Sequence, residues 1–180
     1  MSKAVMLSIR PKWCEKIASG EKTIEVRKTR PKLETPFKCY IYCTLPKYPH
    51  EDFIATNYPR PQFYGGGKVI GEFTCERIYE IGKRGIPENF DYCYLSLNEW
   101  GNDDIETEIK AISASCVSKE ELNAYGAKAP LLYGWHISDL RIYDEPRELS
   151  EFTGLRDTRF GAAPYDIKRA PQSWCYVEAM

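Results

Sequence analysis

An α+β fold is what this sequence predicts, with short strands curling into a mixed, partly closed β-barrel and helices covering its ends. Three observations point there. Period-two segments outnumber helical ones, at about five or six against two or three. The strand-like segments come in runs rather than in strict strand–helix alternation, which argues against a doubly wound sheet. A chain of 180 residues, 43% apolar and 28% charged, suits one domain with a core of its own. That domain would span 1–180, with a loop insertion at about 46–66 and a helical insertion at about 103–127.

Taken in order, AVMLSI at residues 4–9 is a short apolar run that suits a buried strand. Pro11 then stands at a first helical position, and Trp13, Cys14, Ile17 and Ala18 recur at helical spacing as one apolar stripe. Gly20 is a natural helix stop. TIEVR follows and alternates. Ile24 and Val26 face the core, while Glu25 and Arg27 leave the opposite face together, about 6.5 Å apart along the strand. Lys22 stands at the strand's start, beside the glycine turn.

KCYIYCTL puts Cys39, Ile41, Cys43 and Leu45 on one face and Tyr40, Tyr42 and Thr44 on the other. Residues 46–66, rich in Pro, Tyr and Asn, read as a long loop. KVIGEFTCERIYEI reads as one strand in which Gly71 marks a bulge or a close backbone approach. Residues 82–101 read as irregular. From Asp103 to about Ala127 the pattern is helical, with a capping box from Ser118 to Glu121 before Leu122 and Tyr125. LLYGWHISDLRIYDEP reads as one strand kinked near Asp139. Residues 153–170 read as an exposed loop of mixed charge, and SWCYVEA as a last strand with Trp174 and Tyr176 on one face.

Composition narrows the function. The net charge is −1, so tight, sequence-blind binding to duplex DNA is not expected. Five of the 25 basic residues nevertheless crowd into residues 20–32 (Lys22, Arg27, Lys28, Arg30 and Lys32), and a local patch of that kind can steer an acidic strand. The opening residues do not read as a signal peptide, and no window approaches about 18 apolar residues, so no membrane partner is expected. Seven cysteines without a C-x-x-C pair read as buried, reduced thiols of a cytoplasmic protein. Cys39 and Cys43 with a histidine lack the spacing of a zinc knuckle, so neither metal nor cofactor is expected. Phosphate-binding loops, nucleophile elbows and metalloprotease motifs are absent from the sequence.

The stretch LSIRPKWCEKIASGEKTIEVRK resembles the first segment of the ASCH domain, a branch of the PUA-like superfamily. The family's hallmark, G-x-K-x-x-E-x-R, stands intact as Gly20, Lys22, Glu25 and Arg27. GKVIGEFTCERI and YGWHISDLRIYDEPREL extend the likeness, which leaves out residues 46–66 and the middle helices. The resemblance implies a PUA-like pseudo-barrel with a cleft between the hallmark segment and its neighbouring strands. Relatives bind RNA or hold a modified base flipped from a strand. Some small ASCH proteins are amidohydrolases acting on 4-acetylcytidine, and another is a ribonuclease. In the amidohydrolases a threonine nucleophile occupies the position of Glu25, activated by the lysine matching Lys22; here Glu25 replaces it and Thr23 is out of register.

The expected ligand is therefore single-stranded RNA or a modified nucleobase or nucleoside. Lys22 and Arg27 would meet phosphate or base, and Glu25 would read an exocyclic amine or simply aim the arginine. Arg10, Thr23, Tyr42 and Trp135 complete the expected ligand-binding set, though Trp135 equally suits a barrel core. An amidohydrolase or ribonuclease would use Lys22 with a carboxylate, Glu25 or Glu72. A third reading is a protein-interaction domain acting through residues 46–66.

Overall fold

The computed structural model describes residues 2–56, 62–86, 89–95 and 112–180. The chain opens with β1 (Lys3–Ile9), α1 (Pro11–Ala18), β2 (Ile24–Arg27) and β3 (Phe37–Cys43). It continues through β4 (Ile54–Thr56), β5 (Gln62–Tyr64), β6 (Val69–Cys75), β7 (Ile78–Ile86) and β8 (Asn89–Leu95). Then come α2 (Lys119–Gly126), β9 (Leu131–His136), β10 (Ser138–Arg147), β11 (Thr153–Thr158), β12 (Gly161–Asp166) and β13 (Trp174–Glu178).

Among the described residues the strands form a seven-stranded sheet, β10-β6-β3-β1-β13-β11-β12, a four-stranded sheet, β2-β9-β7-β8, and the small pair β4-β5. The two larger sheets do not close on each other, which makes a pseudo-barrel. β1 and β3 run parallel because α1 and β2 form the crossover between them; the other pairings are antiparallel. β1 sits inside the larger sheet and is buried on both faces, which is why its sequence runs apolar without alternating. Val5, Leu7 and Ile9 face one core with Cys14 and Ile17 of α1, Phe73 and Trp135. Ala4 and Met6 face a second core with Tyr40, Tyr42, Phe152 and Val177. Ile24 and Val26 join a third with Ile81, Leu122 and Leu132.

α1 starts with Pro11 at its first position and buries Pro11, Cys14 and Ile17, as its stripe predicts. Gly20 ends it at φ 80°, in the left-handed region where glycine carries no Cβ penalty. Gly71 is a close approach: a Cβ there would lie 2.5 Å from the Arg141 carbonyl oxygen. The β3–β6 register slips beside it, between Ile41 and Tyr42.

Several sequence expectations are corrected. LLYGWHISDLRIYDEP is two strands in two sheets, because β9 pairs with β2 and β7 while β10 pairs with β6. Asp139, at φ 49°, sits where the chain changes sheet. KVIGEFTCERIYEI likewise divides, after Cys75, between β6 in one sheet and β7 in the other. Residues 82–86 and 89–95, expected to be irregular, belong to the β7–β8 hairpin, and 87–88 and 96–101 lie outside the described residues. Residues 153–170 hold the β11–β12 hairpin. That hairpin is the sheet's edge and its outer half is exposed, so no apolar alternation advertises it. Part of the 46–66 stretch pairs as β4–β5, and Leu45 is exposed instead of joining Cys43 in the core. The helical reading of 103–127 holds for 112–115 and for α2, with a break at Cys116 (φ 55°); residues 103–111 lie outside the described residues. The Ser118–Glu121 capping box caps α2 as expected.

Candidate functional site

The glycine stop of α1 sets the position of Lys22. Gly20 donates its N–H to the Ile17 carbonyl at 3.0 Å, and Lys22 donates its own to the Lys16 carbonyl at 2.9 Å. The turned chain sends the Lys22 side chain inward, where it is 1% exposed. Its Nζ donates to the carbonyls of Ile24 at 2.8 Å and Ser115 at 2.6 Å, and pairs with Glu25 Oε2 at 3.3 Å. An ammonium has three N–H groups, and these three acceptors use them all. The Trp13 ring centre lies 5.0 Å away. Burying an ammonium is expensive, and this set of partners is what offsets the cost.

Glu25 stands between two cations. Its Oε1 accepts from Arg27 Nη2 at 3.0 Å. Arg27 Nη2 also donates to the Ser8 carbonyl at 2.8 Å, Nη1 reaches the Ser173 carbonyl at 3.4 Å, and the buried Nε finds no acceptor among the described residues. The period-two reading of TIEVR thus holds. Glu25 and Arg27 share a side, and Lys22 joins them from the turn. Two cations against one carboxylate leave a formal charge of +1 in a nearly dry place.

These three groups form the floor of a cleft of about 990 Å³, within the range of ordinary ligand sites. Ser8, Ile9 and Arg10 at the end of β1 form one side with residues 170–173. Tyr42, Thr44 and Leu45 continue the lining from β3. Trp13 of α1 and Glu121 and Tyr125 of α2 form another wall, and Lys28 and Thr29 a rim. Lys12 joins the two helices through Glu121 at 3.1 Å. The Ser118 backbone N–H, and then Lys12, hold the Glu121 carboxyl below its usual range. Burial first, then the nearby Glu25 charge, pushes the Tyr125 phenol up, against the pull of Arg27 and Arg10.

Of the residues expected from the sequence, Lys22, Glu25, Arg27, Arg10 and Tyr42 meet in this cleft. Three do not line it. Thr23 is held through its backbone, with its N–H on the Ala114 carbonyl and its own carbonyl taking the Ile137 N–H, both at 2.8 Å. Trp135 pairs in register with Glu25 but is 0% exposed, packed edge-on against Phe37 with ring centres 5.7 Å apart. Glu72 lies on β6, where it takes Lys38 at 3.3 Å and the Tyr143 hydroxyl at 2.7 Å. Trp13, Tyr125 and residues 170–173 were not among the sequence candidates. The spacing of Glu121 and Tyr125 around the buried Leu122, four residues apart on one helix, was the available signal.

The described cysteines are free. Burial above all raises the thiols of Cys14, Cys39 and Cys75, the last to about 12, so they act as small apolar groups. Among the described residues no group of three or more His, Cys, Asp or Glu is placed to hold a metal ion. No described helix is long and apolar enough to cross a membrane.

No protein-family model matches the sequence, and no curated protein matches it. Solved structures do. An ASCH protein from Zymomonas mobilis aligns over 97% of this chain and 87% of its own, at 17% identity and a TM-score of 0.50. A single-residue variant of that protein aligns over 98% and 91%, at 16% identity and a TM-score of 0.51. At this identity the likeness speaks for the fold alone, and it agrees with the segment from Gly20 to Arg27: the chain has the ASCH fold, of the PUA-like kind.

Proposed function

We propose that the cleft is a binding site for single-stranded RNA or a modified nucleobase or nucleoside, and that the protein works as a binding module. One observation carries this reading: the floor buries two cations against one carboxylate, so a ligand bearing negative charge or strong acceptors completes it. Arg27 projects the excess charge, Glu25 aims Arg27, and Lys22 fixes Glu25. Arg10 and Lys28 on the rim draw phosphates, and Tyr42, largely buried, borders the cleft from β3. A net charge of −1 over the whole chain keeps the attraction local.

The hydrolase alternatives draw less support from this geometry. Lys22 has no N–H to spare and Glu72 is elsewhere. The Ser8 hydroxyl is spent on the Pro171 carbonyl at 2.5 Å. The Thr29 hydroxyl accepts from Trp174 Nε1 at 2.9 Å.

The test is a binding screen of nucleosides, acetylated cytidine and short RNA oligomers against wild type and Arg10→Ala, with duplex DNA as control. Salt-sensitive binding of the single-stranded or nucleoside ligands, weakened in Arg10→Ala, is the expected result. No binding of any of them at about 1 mM, or turnover of acetylated cytidine or RNA, would overturn the module reading.

A further inference from the structure

α2 lies outside the segments that resemble the ASCH hallmark, yet it supplies a wall of the cleft. Leu122 anchors the helix in the third core at 0% exposure. Tyr125, one turn further on, stays 39% exposed at the cleft. Its ring carries Lys28 Nζ at 5.1 Å from the centre. Trp13, on α1, carries Lys12 Nζ at 4.3 Å. Two aromatic rings in one cleft are thus each covered by an exposed lysine. Such surface cation–ring contacts are weak and exchange most easily at Tyr125, since Lys12 also holds Glu121 at 3.1 Å and the buried Lys22 lies 5.0 Å from the Trp13 ring. A flat ligand can take the ring face while the ammonium swings to an anion beside it.

That pairing of ring and cation selects among ligands. An acidic peptide offers charge without a plane, and an apolar one offers neither. A nucleotide unit offers a π-face with a phosphate next to it, and the cleft has room for base, ribose and phosphate at about 990 Å³.

We infer that Tyr125 is the platform on which one base of a bound single-stranded RNA stacks, with Trp13 beside it and Lys28 and Lys12 meeting the flanking phosphates. This rests on the binding reading above and deepens it: the helix outside the hallmark, and not the hallmark, would hold the base of a strand.

The test compares two probes, an oligouridylate of about six nucleotides and an abasic ribose-phosphate oligomer of the same length. Wild type, Tyr125→Phe, Tyr125→Leu and Tyr125→Ala are titrated with both, after circular dichroism shows each variant folded. Wild type prefers the base-bearing probe by about five- to 150-fold, the range one stacked base produces. Tyr125→Phe keeps that preference; the leucine and alanine variants lose most of it and bind the abasic probe as wild type does. A leucine variant that keeps the preference to within about twofold overturns the stacking role, since leucine retains bulk without a π-face. Equal wild-type affinity for the two probes also overturns it and leaves strand binding standing. Binding of neither probe overturns this inference, while nucleoside binding in the screen above would leave the cleft's binding role standing.

Discussion

Two lysine–glutamate pairs in this protein have the same separation and different fates. Lys22–Glu25 and Lys38–Glu72 are both 3.3 Å apart. The first pair is 1% and 8% exposed at its side chains, the second 36% and 20%. Glu25 is shared with a second buried cation, Arg27, so its neighbourhood is net positive. Glu72 accepts from a neutral phenol, and Lys38 also donates to the Met180 main-chain oxygen, so that cluster carries no second buried cation. Distance alone therefore says little about an ion pair. Burial and the third partner decide whether it can present charge to a ligand.

The largest expected contrast is in stability. Glu25→Ala leaves two buried cations without a counter-charge and is expected to cost about 3–5 kcal/mol in urea unfolding. Glu72→Ala, on a half-wet surface, costs about 1 kcal/mol. Equal losses would break the comparison. Next, Lys22→Met strands the Ile24 and Ser115 carbonyls and is expected to cost about 2–4 kcal/mol, against less than about 1 kcal/mol for Lys38→Met. A Lys22→Met protein as stable as wild type would mean that water already reaches the floor.

A third contrast is in pH. Burial, and then the Glu72 carboxylate, pushes the Tyr143 phenol up. A group raised in the folded state contributes stability below its unfolded pKa, and that contribution is lost as pH climbs past about 10, where an unfolded tyrosine ionises. Tyr143→Phe should flatten the fall in melting temperature between about pH 9.5 and 11, and an unchanged slope would remove Tyr143 from the account. The smallest effect is in binding. Lys28→Ala should lower the salt slope for single-stranded RNA by about 0.7, while Lys38→Ala, outside the cleft, leaves it unchanged.

How much of this was legible beforehand follows from which signals are local. Gly20, Lys22, Glu25 and Arg27 lie within one turn and one strand, and period two was enough to bring the last two together. The unbroken apolar run of β1 announced its burial on both faces. Glu72 misled because a strand's polar face says nothing about which cavity it borders; the β3–β6–β10 ladder decides that. The β11–β12 hairpin escaped because an edge strand owes its shape to its partner, here with the Tyr165 ring lying on Gly154, not to its own alternation. Tyr125 escaped because a helix shows its buried stripe in sequence but not the neighbour it leans against.

Arg27 belongs to the four-stranded sheet but holds the backbone of the seven-stranded one at Ser8 of β1, and that of Ser173 just before β13. It acts as a rivet between the halves of the pseudo-barrel. Whatever grips that guanidinium from the cleft also tightens the joint, so occupancy and resistance to unfolding rise together. Damage at the floor loosens both at once, and the variants that report on recognition by itself are those made on the rim.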